Sequence, residues 1–153
     1  EGMLKLLQTF SDDCNTGDMI LLGADLKKSP AVILPAYDDA KGITARFNLN
    51  LLNRINRELG ADFDLKKWKH YANYDEEKGE MNSFLVSREK QEVNIAALNQ
   101  SFHFEMSESI HTEVSRKFSP EELLELAKQF GFKQKACFYD SRMFFTNVVW
   151  EKL

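Results

Sequence analysis

The sequence predicts a mixed α/β fold, and three observations carry that prediction. A continuous apolar run, Met19-Ile20-Leu21-Leu22-Gly23-Ala24-Asp25-Leu26, follows a helical pattern and a Gly17-Asp18 turn. Such a run reads as a strand buried on both faces, the habit of parallel sheets, and with the helix before it forms an αβ unit of a doubly wound sheet. Beyond Gly79 the apolar period changes from helical to two, the mark of antiparallel strands. At Ser119-Pro120-Glu121-Glu122 it changes back, with Ser as cap, Pro at the first helical position and Glu set to reach back. Residues 62–114 differ in period from both ends. They read as an inserted lobe, with residues 1–27 and 118–153 meeting as one sheet layer.

In chain order, Leu4, Leu6, Leu7 and Phe10 mark a short helix with one apolar side. Residues 27–35 read as a loop, because Pro30 and Pro35 each favour extended backbone at the residue before. Phe47, Leu51, Leu52, Ile55 and Leu59 recur at helical spacing from about Thr44, and Gly60 supplies the stop. Asp64 is placed to cap a second short helix with Leu65, Trp68 and Tyr71 on one side. Strands are expected over 83–87, 92–96, 102–105 and 109–115 as an antiparallel meander. After the capped helix, whose buried stripe is Leu123, Leu124, Ala127 and Phe130, Gly131 ends the turn. Strands over 133–139 and 143–150 close the chain as a hairpin.

Twelve Phe, four Tyr and two Trp are enough apolar mass for a packed core. The net charge is −4, and no Lys/Arg face is dense enough to collect phosphates, so a nucleic-acid partner is not expected. No apolar run has membrane length, so no membrane role is expected either. Cys14 and Cys137 are far apart and fit neither a disulfide framework nor a metal spacing; reduced thiols in the cytoplasm are the expectation. His70, His103 and His111 share no metal spacing, and they read as surface or partly packed imidazoles. The chain opens Glu1-Gly2-Met3 directly into a helical pattern, and we expect it to be a portion of a longer protein.

The densest polar chemistry lies in Ala36-Tyr37-Asp38-Asp39-Ala40-Lys41-Gly42-Ile43-Thr44, between a buried strand and an amphipathic helix. Polar groups at the end of a sheet strand commonly build a small-molecule site. A second polar stretch, Ile110-His111-Thr112-Glu113-Val114-Ser115, has Glu113 and Ser115 two apart on a strand, so both point to one face. From the residues alone, that face reads as an ordinary outward polar face, Tyr37 as a ring packed on the next helix, and Thr44 as a helix cap. Asp38 and Asp39 read as turn and capping residues.

Several of these segments resemble the histidine-specific methyltransferase family. They are Gly17-Asp18-Met19-Ile20-Leu21-Leu22-Gly23-Ala24-Asp25-Leu26-Lys27, Ala36-Tyr37-Asp38-Asp39, Gly42-Ile43-Thr44, Phe47-Asn48-Leu49-Asn50-Leu51-Leu52, Asn56-Arg57-Glu58-Leu59-Gly60-Ala61-Asp62-Phe63, Leu85-Val86-Ser87-Arg88 and Thr112-Glu113-Val114-Ser115-Arg116-Lys117-Phe118. That family includes the ergothioneine-pathway enzyme that trimethylates the α-amine of L-histidine with S-adenosylmethionine. The resemblance runs over nearly the whole chain. It implies the C-terminal part of a class I Rossmann-like methyltransferase sheet, over 1–27 and 118–153, with an antiparallel substrate-binding lobe inserted over 28–117.

The resemblance also implies roles. Tyr37 would contact the substrate near its carboxylate, Thr44 would line the pocket, Glu113 would accept the imidazole N–H, and Ser115 would be its hydroxyl partner. Methyl transfer to nitrogen needs positioning rather than a covalent intermediate, so no catalytic residue is expected here. At Ser83 the family's histidine enzyme carries Met, whereas here Met81 stands two places earlier. Ser83 would leave the pocket roomier or wetter, which puts the amino-acid preference in question. None of the seven glycines forms a G-x-G, so S-adenosylmethionine would be bound mainly by an N-terminal half, and this portion alone would be inactive. Other readings are a methyltransferase for another amino acid such as tryptophan, or a stand-alone ligand-binding domain that is not an enzyme. A truncated sheet would expose an edge and an apolar face, favouring a homodimer.

Overall fold

The computed structural model describes residues 2–153. Glu1, where the chain's opening was noted, lies outside them. The fold is mixed α/β with antiparallel pairing, in two compact units, Glu1–Lys28 with Arg116–Leu153, and Ser29–Ser115. The boundaries lie one and two residues from the expected 28–117 lobe. Lys28, Arg116 and Lys117 belong to the first unit, where Lys28 and Lys117 pair with Asp25 and Arg116 with Glu122.

In the discontinuous unit, α1 (Gly2–Asp13), β1 (Met19–Asp25), α2 (Pro120–Gln129), β2 (Phe132–Tyr139) and β3 (Phe145–Lys152) form one layer of helices on one sheet. The strand order is β1-β3-β2, with β3 antiparallel to both neighbours. The capping box forms as the sequence spells it: Ser119 Oγ accepts from the Glu122 amide at 3.2 Å, and the Glu122 carboxylate accepts from the Ser119 amide at 2.7 Å. Gly131, at φ +73, takes the left-handed turn that ends the helix. Leu7, Leu123, Ala127, Phe132, Val148 and Trp150 form the core.

Two expectations for this unit are corrected. β1 is not buried on both faces: Met19 is 63% and Leu21 70% exposed, because helices cover only the side bearing Ala24. Its ladder partner is antiparallel, and the parallel contact is an isolated bridge, Leu26 to Phe118. In α1 Leu7 is buried and Met3 and Phe10 pack beside it, while Leu4 and Leu6 face out.

The continuous unit runs α3 (Pro30–Tyr37), α4 (Ile43–Leu59), a short 3₁₀ turn, then β4 (Trp68–Asp75), β5 (Glu80–Ser87), β6 (Gln91–Ile95), β7 (Gln100–Phe104) and β8 (Ser109–Arg116). One sheet has the order β4-β5-β8, and β6 and β7 pair as a separate hairpin, so the expected four-strand meander splits in two. β8's last residue, Arg116, falls in the other unit. Residues 30–37 are helical rather than a loop. Ser29 caps them, Pro30 sits at the first position where no amide is needed, and Pro35 comes late enough to interrupt only the final turn.

The expected helix through Trp68 and Tyr71 is instead β4. Asp64 caps only one 3₁₀ turn. Trp68, His70 and Ala72 then alternate with the exposed Lys69, Tyr71 and Asn73, in register with Ser87, Leu85 and Ser83 of β5. Leu52, Phe63, Trp68, Leu85, Val93 and Ile95 make this unit's own core. α4's buried stripe is Asn48 and Leu52, one residue off the expected line: Phe47 is 74% exposed.

Candidate functional site

All five residues expected to bind substrate lie in the continuous unit. Tyr37 closes α3, and Ser115 lies near the end of β8. Their side chains meet, the phenol donating to Ser115 Oγ at 2.9 Å. The Tyr37 carbonyl is held from another side: it accepts from His70 Nε2 on β4 at 2.8 Å. Because a carbonyl only accepts, the His70 proton must sit on Nε2. His70 Nδ1 is buried without a hydrogen-bond partner. His70 is thus the partly packed kind of imidazole rather than the surface kind. His70→Leu is expected to loosen the end of α3, read as faster amide hydrogen exchange around Tyr37, while His70→Gln, whose amide reaches as Nε2 does, recovers most of the protection.

Glu113 lies two residues before Ser115 and is exposed. It lines a hollow of about 420 Å³ between α4 and β8, with Phe47, Asn48, Asn50, Leu51, Arg54 and Thr112. Arg54 is engaged along its own helix by Glu58 at 2.8 Å, whose carboxylate raises the Arg54 pKa. Outside that hollow, His111 Nε2 donates to the Glu113 carbonyl at 3.1 Å, and its ring stacks on Phe84 with centroids 4.6 Å apart.

Thr44 lies in the first turn of α4 and lines a different hollow, with Pro35, Ala36, Asp39 and Ile43 among its walls. It does not cap that helix. Asp39 does, accepting from the Thr44 amide at 2.8 Å and the Ile43 amide at 3.0 Å. Those two amides hold the Asp39 pKa down to about 2. Ser83 is 1% exposed on the inward face of β5, between the equally buried Met81 and Leu85. Hydrogen bonds thus bring Tyr37 and Ser115 together; Thr44 and Glu113 line separate hollows, and Ser83 lies in the interior.

Two residues at this site were missed from sequence. Asn48 is 6% exposed within α4's apolar stripe. Thr112, beside Glu113, bonds to it at 3.0 Å. A stripe drawn one residue later, through Asn48, Leu52 and Ile55, would have found Asn48 as a polar interruption. Among the described residues, no group of His, Cys, Asp and Glu could hold a metal ion, and no helix is long and apolar enough to cross a membrane.

This is a mixed α/β protein with a polar site in a lobe built of helices and an antiparallel sheet. Residues 1–152 match the family described as histidine-specific methyltransferase, SAM-dependent, and the chain belongs to that family. It is similar to the histidine N-alpha-methyltransferase of Mycolicibacterium smegmatis, 41% identical over 130 residues, 85% of this chain and 40% of that protein. It is also similar to the histidine N-alpha-methyltransferase of Mycobacterium tuberculosis, 43% identical over 117 residues, 76% of this chain and 36% of that one. Ergothioneine biosynthesis protein 1 of Schizosaccharomyces pombe is 30% identical over 130 residues, 84% of this chain and 17% of that protein. The chain therefore spans well under half the length of these curated relatives.

The family implies S-adenosylmethionine, and the residues present do not form a cradle for it. The glycines at positive φ, namely 17, 42, 60, 79 and 131, sit in turns and at helix ends. None opens a helix after a strand with a second glycine beside it. No residue of this chain is assigned to the methyl donor.

Proposed function

We propose that this chain supplies the amino-acid pocket of an S-adenosylmethionine-dependent N-methyltransferase that methylates the α-amine of L-histidine to trimethylhistidine, a step of ergothioneine biosynthesis. The observation that carries the reading is the Tyr37–Ser115 hydrogen bond at 2.9 Å, which ties the end of α3 to β8 two residues from Glu113. In this reading the Ser29–Ser115 unit is the substrate-binding lobe, and the other unit is the C-terminal part of the methyltransferase sheet. The share of the relatives' length outside this chain would carry the methyl donor, and this piece alone would be inactive.

The chemistry asked of these residues is recognition and orientation. Glu113 accepts the imidazole N–H, a charge-assisted bond that a carboxylate makes well. Ser115 is its hydroxyl partner, and the Tyr37 phenol, whose proton goes to Ser115 Oγ here, would turn that proton to a substrate carboxylate. Thr44 adds a hydroxyl at the start of α4. Together they would hold the amine, as a free lone pair, in line with the methyl group to be transferred. In this reading Ser83, small and buried, would make the pocket roomier. Tryptophan or another amino acid therefore belongs among the substrates tested.

Cys14 and Cys137 are free thiols, in keeping with our placing the protein in the cytoplasm. The open apolar residues Met19 and Leu21 support self-association of the isolated piece. The test is mass spectrometry of amino acids incubated with the intact protein and S-adenosylmethionine. We expect mono-, di- and trimethylated histidine; donor binding without any methylated histidine would remove the substrate assignment.

A further inference from the structure

We propose that Asn48 and Thr112 form a positioning junction, which sets how far β8 stands from α4 and thereby how tightly the amino acid is held. The proposal rests on the reading of Glu113 and Thr44 as pocket residues. Its observations are independent of that reading.

Asn48 Nδ2 donates to the Thr44 carbonyl at 3.2 Å, while its Oδ1 accepts from Thr112 Oγ1 at 3.0 Å. The same Thr112 hydroxyl lies 3.0 Å from the Ser83 carbonyl. Both carbonyls only accept, so the amide can point just one way, nitrogen to Thr44 and oxygen to Thr112. The single Thr112 proton is then shared between two acceptors. Three elements, α4, β5 and β8, meet at that one hydroxyl, and each brings an expected pocket residue: Thr44 and Ser83 by their own carbonyls, Glu113 as the next residue after Thr112.

An apolar pair at this point would keep the packing and lose the register. Ridges of aliphatic side chains tolerate sliding, whereas hydrogen bonds to fixed carbonyls do not, and a satisfied buried network specifies one arrangement. Asn48 and Thr112 also line the hollow that Glu113 lines. A shift of β8 against α4 would change that hollow directly, and with it the fit of the amino acid held there. With their polar atoms engaged in the junction, Asn48 and Thr112 act through Glu113.

The test uses the intact protein and three variants. Thr112→Val keeps the shape and removes the proton, Thr112→Ser keeps the hydroxyl, and Asn48→Ser shortens the arm without adding bulk. We expect Thr112→Val and Asn48→Ser to raise both KM and calorimetric Kd for histidine about tenfold. kcat should stay within about threefold and S-adenosylhomocysteine should bind as before. Thr112→Ser should recover most of the loss. Combined with Glu113→Gln, Thr112→Val should add less than its separate effect, because both act on one interaction.

Unchanged histidine affinity in Thr112→Val overturns the proposal. So does a parallel loss of S-adenosylhomocysteine binding, or strict additivity with Glu113→Gln. Should Thr112→Val fail to fold, Asn48→Ser decides by the same criteria. A parent protein that methylates no amino acid overturns the functional reading and this proposal together. An active parent that Thr112→Val matches overturns this proposal alone.

Discussion

Glu113→Ala in the intact protein is expected to raise the KM for L-histidine by about ten- to a hundredfold, with only a small change in the unfolding midpoint. A hydrogen bond to a charged group contributes roughly 1.5–3 kcal/mol, and its loss converts to that range of affinity. Folding has little stake in the side chain: Glu113 is exposed, and surface substitutions usually stay within about 0.5 kcal/mol. Glu113→Gln keeps a carbonyl acceptor without the charge and should fall between parent and Ala. Steady-state kinetics with histidine and one other amino acid, alongside thermal melts, separates recognition from folding. A variant as good as the parent with histidine would leave Glu113 as solvent-facing charge on β8.

The largest expected effect on stability is at Asp25. Lys117 is 1% exposed, and its Nζ lies 2.8 Å from the Asp25 carboxylate, which also pairs with Lys28. Asp25→Ala takes a charged partner from the deeply buried Lys117 ammonium. Breaking a fully buried pair in this way costs about 3–5 kcal/mol, and because Asp25 is itself partly open to solvent we expect about 2–3 kcal/mol by urea unfolding. Lys117→Met should cost less, since the buried charge is gone and Asp25 keeps Lys28.

The pH dependence follows from the same pair. Burial works to raise the Asp25 pKa, but the hydrogen bonds and charges of Lys117 and Lys28 outweigh it and hold the carboxyl below its ordinary 3.8. A carboxyl whose folded pKa is depressed contributes fully above its unfolded value and loses that contribution as pH falls through the folded one. The stability gap between parent and Asp25→Ala should therefore narrow below about pH 4.

Local chemistry was legible and long-range pairing was not. Ser119-Pro120-Glu121-Glu122 places the start of α2 at Pro120, because every partner in a capping box lies within four residues. Gly60 likewise ends α4 in a left-handed turn. Trp68 and Tyr71 misled because their spacing of three suits a helix. Only the ladder to β5, with Trp68 opposite Ser87, makes that segment extended. Asn48 was overlooked for the same reason: what makes a polar residue tolerable inside the stripe is Thr112, sixty-four positions away. In the site, resemblance placed Tyr37 and Ser115 in one pocket, but no periodicity could say that their hydroxyls would bond across seventy-eight positions.

The pairing of β1 with β3 sets an order on folding. Met19–Asp25 can find its partner only after Phe145–Lys152 has been made, so that ladder closes a loop of more than a hundred residues. Ser29–Ser115, by contrast, is continuous, with its own core, and can settle while the rest is still leaving the ribosome. Its early collapse shortens the effective loop and so lowers the closure entropy of the last step. The lobe would then fold first and β1 would join its sheet last, and until that moment Ala24 and Leu26, which the folded core buries, belong to the stretch that chaperones would find.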